Sequence, residues 1–475
     1  MIKKFLSGVM ACTLALTLVA CEEYNPDYDL GTDSDTVDDS GSSNSSSSGG
    51  SGSSTSTTDS STPGGTQKDS SSITDMKGEI SFWHFNSDEA PKILDAFQKT
   101  HPNISVRLSV VSDRDQQYVN KLTAAVKSGY GVPDVFTAES FFVKRVVDME
   151  GAWDDLTDKA APFKNDMVPY TLQVGTDKNG KIRALSPQIT PGGIGYKRSV
   201  AKKYLGTDDP AQIAKYFTSE EKMLEAAKKI KEASGGEVSL FPSWEELVKI
   251  YLGGRKEPWI KGNKLVIDQK MIDLIDFAKK LKGNGYVKEL RQWEPLWAES
   301  IADDETALAY CVPTWGVPYI IASNDRQAAE GERWGLVKGP YPYFWGGTWY
   351  GVYSKSQKKD LAWEFVKWFT TDKEHLKTWN RSCGDIPSSI SVLNDGAKSN
   401  NIDIVTGQNL LKFYSSDDDV DKINGSLMNE YDDTVERAYV EAVRAYLAGK
   451  LESKEDVIKE IKNSVKLNLK DIQVK

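Results

Sequence analysis

Between residues 79 and 149 short runs of strand-forming residues alternate with helical apolar periods, and no other feature narrows the fold as much. Ile80, Phe82, Trp83 and Phe85 mark a first strand within residues 79–85; over 88–99, Ile93, Leu94 and Phe97 share one helical face, with Pro91 in the first turn. Residues 104–111 make a second strand, and Val119, Leu122 and Val126 recur at three- and four-residue spacing on a second helix. Pro133-Asp134 introduces a third strand at 135–138, followed by a helix aligning Phe142, Val146 and Met149. Strands alternating with helices predict an α/β fold whose parallel sheet is covered on both faces. Ligands of such sheets bind beyond the carboxyl ends of the strands. Asn86-Ser87-Asp88 stands at the first such end and Glu139-Ser140 at the third. These residue types also cap helices, and the two roles are compatible.

Upstream of this pattern the composition changes twice. Lys3 and Lys4 precede an apolar stretch at 9–20 that closes Leu18-Val19-Ala20-Cys21, too short to cross a bilayer; residues 1–20 read as a secretory signal peptide. The Leu-Val-Ala-Cys ending resembles the lipobox of bacterial lipoproteins, which implies that Cys21 carries lipid and becomes the mature N-terminus. Residues 21–72 then supply the anchor and a tether of Ser, Gly, Thr and Asp, too polar to repay the entropy of folding. A flexible chain of that length has an r.m.s. span of roughly 40 Å. The expected location is the extracytoplasmic face of the cell membrane, with the body held by lipid.

The remaining four hundred or so residues suit two lobes better than one core. The net charge is -10, and the loss of Lys3 and Lys4 with the leader makes the mature chain more acidic still. With no basic run, nucleic acid and anionic lipid head groups are poor partners. His84, His101 and His375 have no metal-ligand spacing, so no metal is expected. Cys311 and Cys383 remain in the body and read as buried free thiols, although their compartment would permit a disulfide. Nine of the thirteen tryptophans lie within 293–379; most are expected in the core and a few on a ligand.

The middle of the chain is more helical. Thr218-x-x-Glu221, Ser243-x-x-Glu246 and Ser453-x-x-Asp456 have the form of capping boxes. Residues 271–281 carry Ile272, Ile275 and Leu281, and Leu427, Tyr431, Val435, Tyr439, Ala442 and Tyr446 repeat at helical spacing. Catalytic signatures are lacking. Residues 175–181 have the skeleton of a phosphate loop, but Ile182 replaces the hydroxyl that would reach magnesium, and Asp177-Lys178-Asn179-Gly180 is turn chemistry. Gly192-Gly193-Ile194-Gly195 lacks the third glycine of a dinucleotide fingerprint and reads instead as close backbone approach. Asp417-Asp418-Asp419 lacks the rest of a calcium loop and reads as solvated. Neither a His-Glu-x-x-His nor, in the body, a Gly-x-Ser-x-Gly occurs. Glu245, Glu246, Asp303, Asp304 and Glu305, the candidate carboxylates for glycoside hydrolysis, read as solvated faces. No catalytic residue and no cofactor is expected.

Seven stretches follow one another in a single order: 80–88 (ISFWHFNSD) with the helix ending at His101-Pro102-Asn103-Ile104, Val132-Pro133-Asp134-Val135-Phe136, 192–203 (GGIGYKRSVAKK), Pro313-Thr314-Trp315-Gly316, Trp345-Gly346-Gly347, 362–369, and Gly384-Asp385-Ile386-Pro387. From residue 79 onward the chain resembles the extracellular solute-binding proteins of the sugar-binding type, maltose-binding-protein-like, that serve ABC importers. The resemblance implies a periplasmic-binding-protein-like fold: two lobes, each a mainly parallel sheet flanked by helices, with ligand in the cleft between them. One lobe would hold residues 73–190 and 341–390, the other 191–340 and 391–475. The heavy aromatic run at 341–353 and the two body cysteines depart from the family pattern.

A pyranose ring offers an apolar face that stacks on indole, and hydroxyls that need Asn, Asp, Glu or Arg. Carried over by position, Asn86 and Glu139 would bond hydroxyls from one lobe while Trp315 stacks from the other; Asp88, at the first strand end, is a further candidate ligand contact. Trp345 with Gly346 and Gly347 would let the chain approach the sugar, Tyr196 would close the crossover side, and Arg381 and Asp385 would stand near the cleft. The expected function is capture of a carbohydrate, in particular an oligosaccharide, by a monomer that delivers it to the permease subunits of an ABC transporter. A peptide, polyamine or anion ligand is the rival within the binding class, and a surface glycosidase the rival outside it.

Overall fold

The computed structural model describes residues 76–112 and 116–474. Cys21, the signal peptide and the tether lie outside the described residues, and so do the first residues of the expected lobe.

The alternation read from the sequence folds as expected. β1 (Gly78–His84), β2 (Ile104–Val110) and β3 (Val135–Glu139) form a parallel sheet in the order β2-β1-β3. The helices α1 (Glu89–Thr100), α2 (Gln117–Ser128) and α3 (Val143–Val147) alternate with these strands. Ile93 and Phe97 of α1 and Val119, Leu122 and Val126 of α2 are buried. Asp134 fastens the start of β3: its carboxylate accepts from the Ser81 amide and hydroxyl at 2.8 Å and from the Ser356 hydroxyl at 2.6 Å.

A second sheet is built from β4 (Gly192–Lys197), β7 (Ala309–Pro313) and β8 (Trp334–Val337), in the order β7-β4-β8. Between them in sequence lies a two-stranded hairpin, β5 (Ile260–Lys261) with β6 (Lys264–Leu265). β9 (Thr348–Val352) returns to the first sheet and pairs antiparallel with β3. The α/β class with helices flanking both sheets holds, but parallel pairing fails in the second sheet, where β4 runs antiparallel to both neighbours. Helices separate β4 from β3 and from β7 alike, so intervening helices do not by themselves dictate parallel pairing here.

Two crossing segments lie side by side: the Gly192 amide donates to the Tyr343 carbonyl at 2.9 Å and the Trp345 amide to Thr190 at 3.0 Å. The glycines of β4 serve the close approach expected of them. A Cβ on Gly192 would stand 1.8 Å from the Tyr343 ring. The Tyr343 hydroxyl, under that glycine, donates to the Gly193 carbonyl at 2.8 Å.

Local signals held unevenly. Ser453 and Asp456 make the expected capping box, and Asp177 closes its turn by accepting from the Asn179 and Lys181 amides. Ser219, not Thr218, caps the helix Glu220–Ser234. Ser243 caps Trp244–Leu247, yet its expected partner Glu246 turns inward: Glu245 is 6% exposed and Glu246 0%, so neither lies on a solvated face. Arg444 neutralises Glu245 through two contacts of 2.6 and 2.9 Å. Asp417–Val420 is a helical turn, in which Asp419 pairs with Lys338 at 2.9 Å. Cys311 and Cys383 are free thiols, the first buried and the second half-buried. Among the described residues no helix is long and apolar enough to cross a membrane.

Candidate functional site

A cavity of about 730 Å³ opens where the two sheets face each other, within the usual range for small-molecule sites. Its walls come from strand ends: Asn86 after β1, Glu139 closing β3, Trp315 after β7, and Trp345-Gly346-Gly347 leading into β9. Asn86 performs both roles open to it. Its Oδ1 accepts from the Asp88 and Glu89 amides at 2.9 and 3.1 Å, which caps α1 and fixes the amide within the cavity wall. Asp88 stands exposed at the rim. Glu139 is folded over its own turn, accepting from the Ser140 hydroxyl at 2.6 Å and the Phe141 amide at 2.7 Å. Burial raises its carboxyl above the usual range, opposed by those bonds and by the charge of Lys249 across the cavity.

Three indoles cluster in the apolar part of the wall, which Phe85, Phe141, Phe344 and Leu427 extend. Trp315 and Trp345 meet edge to face with centroids 5.2 Å apart, and Trp293 stacks on Trp315 at 6.1 Å and 20°. The Trp315 Nε1–H donates to the Trp345 carbonyl at 2.7 Å. That bond needs glycine at 346, where φ is +83° and a Cβ would stand 2.4 Å from Trp315 Nε1. The close approach expected at Gly346 is therefore made by an indole of the protein itself. Trp293 is 57% exposed and holds φ at +71°, an unusual conformation for a bulky side chain and of a kind found at functional sites. Behind it, Trp297 is buried at 5.2 Å and donates to Glu246 at 2.7 Å.

One end of the cavity is acidic. Glu89 and Asp385 both have carboxyls raised, chiefly by burial and, for Glu89, also by the charge of Asp385. His84, fully buried and held to about 3, is neutral; its Nδ1 accepts from the Asn86 amide at 2.9 Å, so Nε2 carries the proton toward Tyr350 Oη at 3.1 Å. The Tyr350 hydroxyl in turn points at Glu89 at 3.4 Å. Trp379 Nε1–H donates to Asp385 at 2.9 Å. Tyr319 lines the cavity from the π-helix Val317–Ala322, a helical form that recurs at functional sites.

Eight of the ten expected ligand-binding positions thus line one cavity: Asn86, Asp88, Glu139, Trp315, Trp345, Gly346, Gly347 and Asp385. Tyr196 does not. It is fully buried, its hydroxyl donates to the Asp208 carbonyl at 2.7 Å, and it lies four residues along β4 from Gly192, about 13 Å from the cleft end of that strand. Arg381 is exposed on the helix Lys373–Cys383. Trp379 and Cys383 of that helix reach the cavity, and a residue two positions from each points to the opposite side. The sequence reading missed Glu89, Lys249, Arg255, Trp293, Tyr319 and Asp432. Pro295, which opens the helix Pro295–Ala302, was the available sign that the segment carrying Trp293 is irregular.

Among the described residues, carboxylates outnumber cations in the cavity lining: Asp88, Glu89, Glu139, Asp385, Asp432, Asp433 and Glu436 stand against Lys92, Lys249 and Arg255, with Arg145 and Arg437 paired to Asp433 behind the wall. An anionic ligand is disfavoured by that balance. Among the described residues no group of three or more His, Cys, Asp or Glu side chains is placed to hold a metal ion.

Residues 92–406 match the family model of bacterial extracellular solute-binding proteins. Among solved structures, the chain is similar to an extracellular solute-binding protein of family 1, at 17% identity and a TM-score of 0.70, with 82% of this chain and 99% of that one covered. It is similar to the GacH receptor of Streptomyces glaucescens, solved unliganded and with acarbose (18% identity, TM-score 0.65, 84% and 100% covered). It is likewise similar to the galacto-N-biose/lacto-N-biose I-binding protein of a Bifidobacterium longum ABC transporter, solved with lacto-N-biose (19% identity, TM-score 0.66, 84% and 99% covered). At these identities the likeness carries the two-lobed fold.

Proposed function

The chain belongs to the bacterial extracellular solute-binding protein family, and on that premise we propose that it is the lipid-anchored substrate-binding component of an ABC importer for a carbohydrate. Cys21 would hold the body to the extracytoplasmic face of the membrane, and the tether would let it reach its permease. The lobes would be 73–190 with 341–390 and 191–340 with 391–475, closing about the crossing segments that pair Thr190 and Gly192 with Trp345 and Tyr343.

The observation that carries the sugar reading is the indole trio of Trp293, Trp315 and Trp345 in a cavity whose wall also carries amides, carboxylates and scattered cations. Indole faces suit the C–H face of a pyranose, and the flanking polar groups suit its hydroxyls. Two of the structural relatives were solved with acarbose and with lacto-N-biose, which agrees with the reading.

The test is a titration of intrinsic tryptophan fluorescence of the full chain with mono- and oligosaccharides. A saturable shift with one sugar, recovered unchanged afterward, is expected, and Trp315→Ala should weaken it at least tenfold while leaving Tm near that of the wild type. A sugar returned cleaved would move the protein to the glycosidases. A panel without response would remove the carbohydrate and leave the fold.

A further inference from the structure

The helix α3 is fixed to the first sheet. It packs against β3, its Val143, Val146 and Val147 are buried, and Lys144 turns inward to donate to the Thr176 carbonyl at 2.6 Å. The helix Asp432–Leu447 is fixed elsewhere: Val435, Tyr439 and Val443 are buried against a different core, and the Tyr439 hydroxyl donates to the Met271 carbonyl at 2.8 Å. Two contacts join these separately anchored elements. Arg145 Nη2 donates to Asp433 Oδ2 at 2.7 Å, and the Arg437 guanidinium lies 5.5 Å over the ring of Phe141. Phe141 and Arg145 are four residues apart, as are Asp433 and Arg437, so the contacts run side by side along an edge of the cavity that Phe141 and Asp433 line.

Arg145 adds nothing that Asp433 lacks within its own helix. Asp433, 3% exposed, is already neutralised by Arg437 at 3.0 Å and accepts from the Thr434 hydroxyl at 3.2 Å. Among the described residues, Arg145 pairs with no carboxylate on its own side of the cavity. Were the two sides to part, Arg145 would return to water while Asp433 kept Arg437, so the usual penalty of breaking an enclosed ion pair, a stranded charge, does not arise. When they meet, a charge-assisted bond forms where salt screens little. Such a contact makes and breaks reversibly.

We propose that Arg145 and Phe141 latch the two lobes: by closing on Asp433 and Arg437 they stabilise the closed arrangement before any ligand arrives. The latch rests on the lobe division proposed above and not on what the cleft binds. A ligand held by the closed cleft gains apparent affinity in proportion to the closed population, so the latch tunes affinity from outside the indole trio.

The test is double electron–electron resonance on the full chain without ligand. Nitroxides carried by p-acetylphenylalanine would replace exposed side chains, so that the cysteines stay untouched. Positions 130 and 228 span the lobes, and positions 130 and 374 lie within one. The wild type should show one dominant cross-lobe distance. Arg145→Gln should add a second, longer distance, lowering the closed-to-open ratio about tenfold, and Phe141→Ala should act in the same direction, about threefold. Tm should stay near that of the wild type in both, because Asp433 keeps Arg437. Should Arg145→Gln fail to fold, Phe141→Ala decides. Cross-lobe distances identical in the wild type and the folded variants overturn the latch, and a lowered Tm with unchanged distances makes Arg145 an ordinary stabilising contact. Broadening of the 130–374 distance alongside the cross-lobe one overturns the lobe division and the latch with it. The carbohydrate reading stands or falls by its own titration in each case.

Discussion

Glu246 permits a stability prediction whose sign and size both follow from its surroundings. The side chain is 0% exposed, and its two oxygens accept from Trp297 Nε1–H at 2.7 Å and from the Cys311 amide at 2.6 Å. Burial, against those two bonds, raises its carboxyl from 4.5 to about 7. The folded state therefore binds the proton more tightly than the unfolded chain. Its contribution is fully present below pH 4.5 and is lost as pH rises to about 7. At about 1.4 kcal/mol per pH unit the loss amounts to about 3 kcal/mol. Glu246→Gln abolishes the titration but turns an NH2 toward one of the two donors, a pH-independent cost of about 1–3 kcal/mol. Urea unfolding of both proteins from pH 4.5 to 8, followed by tryptophan fluorescence, gives the difference in unfolding free energy. That difference should shift by about 3 kcal/mol in favour of the variant as pH rises, because Glu89, Asp385 and Asp432 titrate in both proteins and cancel. Parallel pH profiles would refute the assignment of a proton to Glu246.

Two further outcomes are expected. Gly346→Ala places a Cβ at φ +83° and 2.4 Å from Trp315 Nε1, so it should cost about 1–2 kcal/mol in strain alone, lower Tm and weaken sugar binding at least tenfold; unchanged melting and binding would show that the Trp315–Trp345 contact is dispensable. Because Cys311 and Cys383 are free thiols, dithiothreitol should leave Tm unchanged, and a reductant-dependent drop would reveal a disulfide between them.

How much of the fold is legible locally depends on where each strand finds its partner. β1, β2 and β3 follow one another with helices between, so hydrophobic period alone separates them, and their carboxyl ends fall at one edge because parallel strands share a direction. The second sheet offers no such guide. β4 carries Gly192, Gly193 and Gly195, which weaken any strand signal, and its partners β7 and β8 lie more than a hundred residues away. The direction of pairing there is set by contacts with those distant strands, which no local window contains. Glu246 failed for a related reason: a Glu three residues after a capping Ser is as consistent with a capping box as with a buried carboxylate, and only the distant Trp297 and Cys311 decide between them.

The site was legible where a strand end dictates position and illegible where a tertiary contact does. Asn86 and Glu139 needed only the sheet. Trp293 needed a backbone at φ +71° and two partners, Trp315 and Trp345, from separate segments. Arg255 follows the same logic more sharply. An arginine after a Gly-Gly pair reads as an ordinary surface residue, yet the Gly253-Gly254 pair lets Tyr341, Pro342 and Tyr343 pack within van der Waals exclusion of any Cβ. Close packing of that aromatic segment, together with Trp259 beneath the guanidinium, accounts for an arginine held inside the wall rather than in solvent. The aromatic run at 341–353 that departs from the family pattern is thus the same feature that supports this cation at the cavity.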